Sequence, residues 1–152
     1  MKHHLESKLD LPITIEEAWA FFSDPKNLAV ITPPELGFII RSTLPTQIQS
    51  GLKITYTVRP LFGIPMTWVT LISNSNPPHS FSDEQLKGPY KSWHHTHRFE
   101  SIPGGVRMHD TVDYELPFGI MGELFHKPIV RPKVESIFSF REKVLRQRFG
   151  SL

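Results

Sequence analysis

Residues 91–116 read KSWHHTHRFESIPGGVRMHDTVDYEL, two alternating segments that flank Pro103-Gly104-Gly105. Successive side chains of a β-strand point to opposite faces, so each segment predicts a strand with one apolar face and one polar face. A Pro-Gly-Gly sequence between two such segments is typical of a hairpin turn. This stretch therefore predicts two long antiparallel strands in the C-terminal half of the chain.

The first of these strands separates the three histidines of the HHTH sequence. Trp93, His95, His97 and Phe99 share the aromatic face, which we expect to be the inner one, whereas His94 falls on the outer face. On the second strand the inner face carries an acidic residue, Asp110, among apolar ones. A two-residue Gly104-Gly105 turn would place Asp110 opposite Phe99, and a four-residue loop would place it opposite His97; in both registers Asp110 lies within reach of His97.

Alternating segments upstream predict further strands, and helical spacing predicts three helices. Thr14 and Glu17 form a capping-box sequence before an amphipathic helix, and Asp24-Pro25 predicts a second short helix. An apolar stripe predicts a long C-terminal helix. The predicted strands cover residues 5–11, 35–42, 52–59, 66–73, 79–86, 91–100 and 106–116, and the helical stripe consists of Val130, Val134, Ile137, Phe138 and Leu145.

The composition excludes several classes of protein. The chain has 152 residues, which is the size of one domain, and a formal net charge of only +2, which does not favour nucleic-acid binding. It contains no cysteine, so disulfides and thiolate sites are excluded and a cytoplasmic location is expected. No apolar run resembles a signal peptide or a membrane span, so we expect no integral membrane association.

The element order predicts an α+β domain over residues 1–152. The predicted order is one strand, two short helices, six strands and one long helix. The last six of these about seven strands should form an antiparallel meander. A long twisted antiparallel sheet can wrap around one amphipathic helix and bury its concave face against it. Such an arrangement often leaves a cavity between the sheet and the helix.

Several segments resemble proteins of the SRPBCC superfamily, which includes the START lipid-transfer domains, the birch-pollen-allergen fold and polyketide cyclase/dehydrase proteins. These segments are FSDEQLKGPYKSWHHTHRFE at 81–100, DTVDYELPFG at 110–119 and IFSFRE at 137–142. The resemblance covers almost the whole chain and implies a helix-grip fold that binds a small hydrophobic or amphipathic ligand, without a cofactor. It does not imply one reaction, because the fold hosts many functions.

Face assignment predicts which side chains line the cavity. A mostly apolar pocket with a few converging polar groups is what a small-molecule site requires. The predicted polar group consists of Asp83, Gln85, His95, His97 and Asp110. The predicted walls consist of Tyr56, Met66, Trp68, Phe81, Trp93, Phe99, Met108 and Tyr114.

The polar group has four interpretations. His97 and Asp110 could form an internal pair that braces two strands, or the group could bind the polar end of a ligand, and these two are compatible. His97, polarised by Asp110, could instead be a general base, with Tyr114 or Tyr56 as a donor, in a cyclisation or dehydration. His95, His97 and a carboxylate could hold Fe(II) or Zn(II), but the two histidines lie about 7 Å apart along a strand, so we expect no metal site.

Two other features have alternative interpretations. The segment 115–125, ELPFGIMGELF, could form a flap over the cavity mouth or a plain connection between strand and helix. Arg141 lies near the apolar stripe of the last helix, and its side chain could reach inward or run along the edge of the stripe to solvent, of which we expect the second.

Overall fold

The computed structural model describes residues 1–60 and 63–152. The strands are β1 (Lys2–Leu11), β2 (Ile39–Ile40), β3 (Lys53–Val58), β4 (Met66–Asn76), β5 (Ser80–Lys87), β6 (Ser92–Ile102) and β7 (Gly105–Glu115). The α-helices are α1 (Ile15–Phe22), α2 (Gly119–Leu124) and α3 (Arg131–Phe149). Short 3-10 turns lie at Pro25–Leu28 and Pro34–Leu36, and a π-helical turn, His126–Val130, joins α2 to α3.

The seven strands form one antiparallel sheet in the order β1-β7-β6-β5-β4-β3-β2. β2 to β7 therefore make the six-stranded meander that the sequence predicts, and in addition β1 pairs with β7 at the edge of this meander. The stripe of α3 faces the sheet: Val134 packs with Trp93 and Val112, while Leu145 packs in the same cluster as Leu11. The predicted α+β helix-grip architecture is confirmed.

The hairpin between β6 and β7 sets the register of the polar group. Ile102 pairs with Gly105, so the turn consists of Pro103 and Gly104, and Gly104 has a φ of 81° that suits glycine. A Cβ atom at Gly105 would collide with the carbonyl oxygen of Leu11, because β1 passes directly beside it. With this turn His97 lies opposite Asp110, which is the second of the two registers considered from the sequence.

Two predicted elements are shorter than the sequence indicates. The strand predicted at 35–42 is reduced to Ile39–Ile40, because the backbone N–H groups of Arg41 and Ser42 both turn to the carbonyl of Thr55 and the ladder ends. The helix predicted from Asp24 is a single 3-10 turn, Pro25–Leu28, with the Asp24 side chain accepting a hydrogen bond from the N–H of Lys26. β2 is the last strand at one edge of the sheet, where tertiary packing overrides local pattern.

The start of the C-terminal helix is irregular at its prolines. Pro128 lies within the π-helical turn and Pro132 lies in the first turn of α3, where its missing N–H costs no hydrogen bond. No helix of the described residues is both long and apolar enough to cross a bilayer.

Candidate functional site

A cavity of about 810 Å³ opens between the concave face of the sheet and α3. Its volume falls in the range of small-molecule sites, and most of the side chains that line it are apolar. Eight of the side chains predicted from the sequence line it, and three of these eight are titratable groups of the predicted polar set. The eight are Tyr56, Met66, Trp68, Phe81, Trp93, Asp83, His95 and His97.

Five other predicted side chains lie outside the cavity lining. Asp110 is buried behind the two histidines. Gln85 closes the turn before β6, where its amide binds both the N–H and the carbonyl of Tyr90. Phe99 and Met108 belong to the apolar core near α1, and the hydroxyl of Tyr114 lies 2.7 Å from Nε2 of His126.

The polar group is a compact network on three neighbouring strands. Nε2 of His97 lies 2.8 Å from Oδ2 of Asp83, and its Nδ1 lies 3.0 Å from Oδ1 of Asp110. The same Oδ1 of Asp110 lies 2.9 Å from Nε2 of His95. The two imidazole rings stack with centroids 3.8 Å apart. Asp110 therefore joins both histidines, and His97 joins both carboxylates.

The two histidines differ in charge although they are neighbours. Burial, together with the charge of His97, lowers the pKa of His95 to about 4. Burial also opposes the charge of His97, but hydrogen bonds to Asp110 and Asp83 outweigh it and raise the pKa of His97. These bonds in turn hold the pKa of Asp83 below, and that of Asp110 well below, the ordinary value in spite of burial. Neutral pH therefore favours two carboxylates, one imidazolium at His97 and a neutral His95.

The neutral ring of His95 has one nitrogen free of carboxylates. Its Nε2 donates to Asp110, so Nδ1 carries the lone pair of the neutral tautomer. Among the described residues no side-chain partner is found for this Nδ1, and His95 itself lines the cavity. By contrast, both ring nitrogens of His97 contact carboxylate oxygens.

Arg141 joins this group from α3, contrary to the prediction that it would reach solvent. Its side chain is buried, 7% exposed, and lines the cavity, with Nη1 3.6 Å from Oδ1 of Asp110. The reason is its position: Val134, Phe138, Arg141 and Leu145 follow one another at helical spacing, so Arg141 lies in the middle of the buried stripe. That spacing was the signal in the sequence that could have placed it inward.

Aromatic side chains form the wall next to the polar network. Trp68 stacks on Tyr56 at 5.9 Å and meets Trp93 edge-on at 5.5 Å. The hydroxyl of Tyr56 lies 3.0 Å from Oγ1 of Thr70, and burial raises the pKa of Tyr56. The indole nitrogen of Trp68 is buried without a hydrogen-bond partner among the described residues. The wall is therefore apolar with one free donor.

The mouth of the cavity is bordered by α2. Phe118, Gly122 and Phe125 line the cavity, whereas Ile120, Met121 and Leu124 point away from it and are exposed. Phe118 has a φ of 67°, a left-handed conformation that directs the chain sharply out of β7. On its other side α2 is held to β1, because Nε2 of His3 lies 2.8 Å from Oε2 of Glu123 and the His3 ring stacks on His126 at 3.5 Å.

The donor atoms of Asp83, His95 and His97 lie within 4.8 Å of one another, which is a spacing that could hold a metal ion. To bind a metal ion, His97 would first have to lose the proton that its two carboxylate contacts stabilise. The positively charged guanidinium of Arg141 also lies close to the group and disfavours a cation there. The absence of a metal site stays a prediction from the sequence.

Neither the family models nor the curated protein sequences contain a match to this chain. Solved structures do match it. A START superfamily protein from Mycobacterium smegmatis superposes with a TM-score of 0.70 at 13% identity, over 95% of this chain and 98% of that one. The chain therefore has a helix-grip fold, which it shares with this START superfamily protein.

Two further solved structures, from different kinds of protein, also superpose on this helix-grip chain. Ara h 8.0201 superposes with a TM-score of 0.60 at 15% identity, over 97% of this chain and 99% of that one. The di-domain ARO/CYC protein StfQ, from the steffimycin biosynthetic pathway, has a TM-score of 0.67 at 10% identity. That match covers 97% of this chain and 52% of StfQ. At these identities the likeness establishes the fold alone.

Proposed function

We propose that this protein binds a small hydrophobic or amphipathic molecule in the cavity between its sheet and α3. The observation that carries the proposal is a mostly apolar cavity of about 810 Å³ whose wall holds one compact group of buried charges. The structural neighbours include a START superfamily protein and Ara h 8.0201, which is of the birch-pollen-allergen type. Proteins of these two types bind ligands, which supports this general function. The same cavity is compatible with a protein that carries lipid-like molecules.

The bound molecule would have a preferred orientation. Its apolar part would contact the aromatic wall of Tyr56, Trp68 and Trp93, where burial of apolar surface provides most of the binding free energy. Its polar end would lie at the polar network of Asp83, His95, His97 and Arg141, since a polar group placed against apolar side chains would lose its hydration without replacement.

The remaining assignments rest on the sequence. We propose that residues 1–152 are one domain, that the protein works in the cytoplasm, in keeping with its lack of cysteine, and that nucleic acid is not a partner.

A substitution that fills the cavity with a larger side chain should weaken ligand binding. Ile137 lines the cavity from α3, and Ser139 lies exposed on the opposite side of the same helix. We expect the wild type to bind the neutral dye Nile red with one-to-one stoichiometry, measured by fluorescence titration. Ile137→Trp should weaken binding about tenfold because the indole occupies the space of the dye. Ser139→Trp is the matched control, and equal affinities of the two variants would contradict the proposal.

A second candidate function is a cofactor-independent cyclase or dehydrase that uses the His97/Asp110 pair. It is favoured by the contact of Asp110 with both histidines and by the polyketide cyclases among the structural neighbours. Both ring nitrogens of His97 contact carboxylates, so the role of His97 in this reaction would be to position Asp110 beside His95. The free Nδ1 of neutral His95 would be the base, since it has a lone pair beside the cavity.

Turnover distinguishes this candidate from binding alone. Wild-type protein should cyclise or dehydrate a member of a panel of linear polyketones, followed by mass spectrometry. His95→Gln should lower kcat about 100-fold while leaving substrate affinity nearly unchanged. A complete absence of turnover with substrates that demonstrably bind would remove the candidate.

A further inference from the structure

The cavity wall contains buried hydrogen-bond donors that the protein itself does not satisfy. Nε and Nη1 of Arg141 and Nε1 of Trp68 are buried without a partner among the described residues, and both residues line the cavity. Among the described residues, one other buried side-chain atom lacks a hydrogen-bond partner. This atom is Oγ of Ser23, which does not line the cavity. Buried polar atoms in folded proteins nearly always have partners, so these donors indicate a missing group.

The three buried atoms of Arg141 and Trp68 that lack a hydrogen-bond partner at the cavity are all donors, against one free acceptor, Nδ1 of His95. Guanidinium and indole N–H groups cannot accept a hydrogen bond, so only an acceptor can satisfy them. One oxygen of each carboxylate is already occupied by the histidines: Oδ2 of Asp83 by His97, and Oδ1 of Asp110 by His95 and His97. The complementary molecule therefore needs acceptor oxygens more than it needs hydroxyl donors.

The charges near Arg141 are already balanced. Asp83 and Asp110 carry two negative charges, and Arg141 and the protonated His97 carry two positive ones. A ligand carboxylate would add an unpaired negative charge to a mostly apolar cavity, which is unfavourable at low dielectric. A neutral acceptor uses the free N–H groups and leaves the balance intact.

We infer that the ligand is a neutral organic molecule with carbonyl oxygens, one of which accepts hydrogen bonds from the Arg141 guanidinium while a second accepts from Nε1 of Trp68. The inference rests on the proposed binding function and names the chemical class of its ligand. Ketones, quinones and amides with a large apolar skeleton belong to this class. Saturated hydrocarbons and fatty acid anions do not.

Three rigid tricyclic compounds of nearly equal shape test the class. Anthracene has no acceptor, 9,10-anthraquinone has two neutral carbonyls, and anthracene-9-carboxylate has an anion. Their affinities are measured by displacement of Nile red at neutral pH. We expect anthraquinone to bind about tenfold or more tightly than anthracene, because hydrogen bonds from a charged donor are among the stronger ones. The carboxylate should bind more weakly than anthraquinone.

Two variants assign the preference to the two donors. Arg141→Met keeps a long apolar side chain and should bring the affinity ratio of anthraquinone to anthracene within about threefold of one. Trp68→Phe removes the N–H but keeps an aromatic ring, and should reduce the ratio about two- to tenfold. Anthracene makes no hydrogen bond, so its affinity in each variant is the reference for apolar contact, and the ratio removes any change in that contact. Circular dichroism checks that each variant folds.

The possible results separate this inference from the proposed function. If the three compounds bind equally, or if the carboxylate binds best, the ligand class is wrong although the cavity still binds apolar molecules. An unchanged ratio in Arg141→Met would also overturn the inference. If Arg141→Met does not fold, the wild-type ranking and Trp68→Phe decide the question. If neither Nile red nor any compound binds, the proposed function fails and the inference fails with it.

Discussion

At the scale of single residues, the two inner histidines of β6 have opposite roles because their partners differ. His97 contacts two carboxylates, which stabilise its charged form, whereas His95 contacts one carboxylate that it shares with His97. Two stacked imidazoles 3.8 Å apart repel each other when both are charged. Burial therefore outweighs the carboxylate contacts only at the histidine with fewer of them, so His95 stays neutral.

This difference predicts how stability depends on pH. The folded pKa of His95 is lowered to about 4, while the unfolded chain protonates at its ordinary value of 6.5. Between those values the unfolded state binds more protons, so His95 makes the free energy of unfolding fall as pH falls. His97 has the opposite sign: its pKa is raised, so its contribution is complete below 6.5 and is lost as pH rises through the raised value.

Urea denaturation at several pH values between 6.5 and 4 measures the His95 effect. The wild type should lose on the order of 3 kcal/mol more stability over this range than His95→Gln, because the variant has no proton to bind at that position. The carboxylates and His97 titrate in both proteins, so the difference reports His95 together with its coupling to Asp110 and His97. Parallel curves for the two proteins would show that His95 titrates normally in the fold.

At the scale of elements, α2 is the least buried part of the cavity wall. Its apolar side chains Ile120, Met121 and Leu124 are exposed, and on the side of β1 it is held by the His3–Glu123 contact. A six-residue helix is too short to be stable alone, so its position depends on these contacts. This arrangement is compatible with the flap that the sequence suggested for residues 115–125.

Loss of the His3–Glu123 contact should loosen α2. In Glu123→Ala we expect amide hydrogen exchange over residues 119–130 to become about fivefold faster, because one partly buried hydrogen bond no longer opposes local opening. The matched control is Glu135→Ala, which removes an exposed ion pair with Arg131 and should have little effect. Equal exchange in the wild type and Glu123→Ala would mean that α2 is a fixed connection.

At the scale of the whole molecule, α3 closes the concave face of a sheet whose strands come from both ends of the chain. Leu145 is fully buried in a cluster with Leu9 and Leu11 of β1, Phe99 of β6 and Val106 of β7. The stripe of α3 is therefore buried, as a helix-grip fold requires.

Truncation of this contact should affect global stability. We expect Leu145→Ala to reduce the free energy of unfolding by about 2–5 kcal/mol, measured by urea denaturation, because it removes buried methyl groups and leaves a cavity. Ile120→Ala removes methyl groups from a side chain that is 82% exposed and should change stability by less than about 0.5 kcal/mol. Similar losses in both variants would contradict the position of α3 against the sheet.

Much of the fold follows from the sequence because periodicity records which face is buried. The alternation in residues 91–116 correctly separates His94 from His95 and His97, and the stripe of α3 correctly marks its buried side. The prediction was weakest at residues 35–42 and 24–31. There the pattern is compatible with regular structure, but the chain finds hydrogen-bond partners for only part of it.

The sequence by itself determined most of the strands, their faces and the terminal helix. Only the tertiary structure decided the register that places Asp110 between His95 and His97, and the turn of α3 that brings Arg141 to 3.6 Å from Asp110. The physical reason is that periodicity is local, whereas these contacts join residues of different elements. Which of two buried histidines carries the proton depends on partners that no single segment contains.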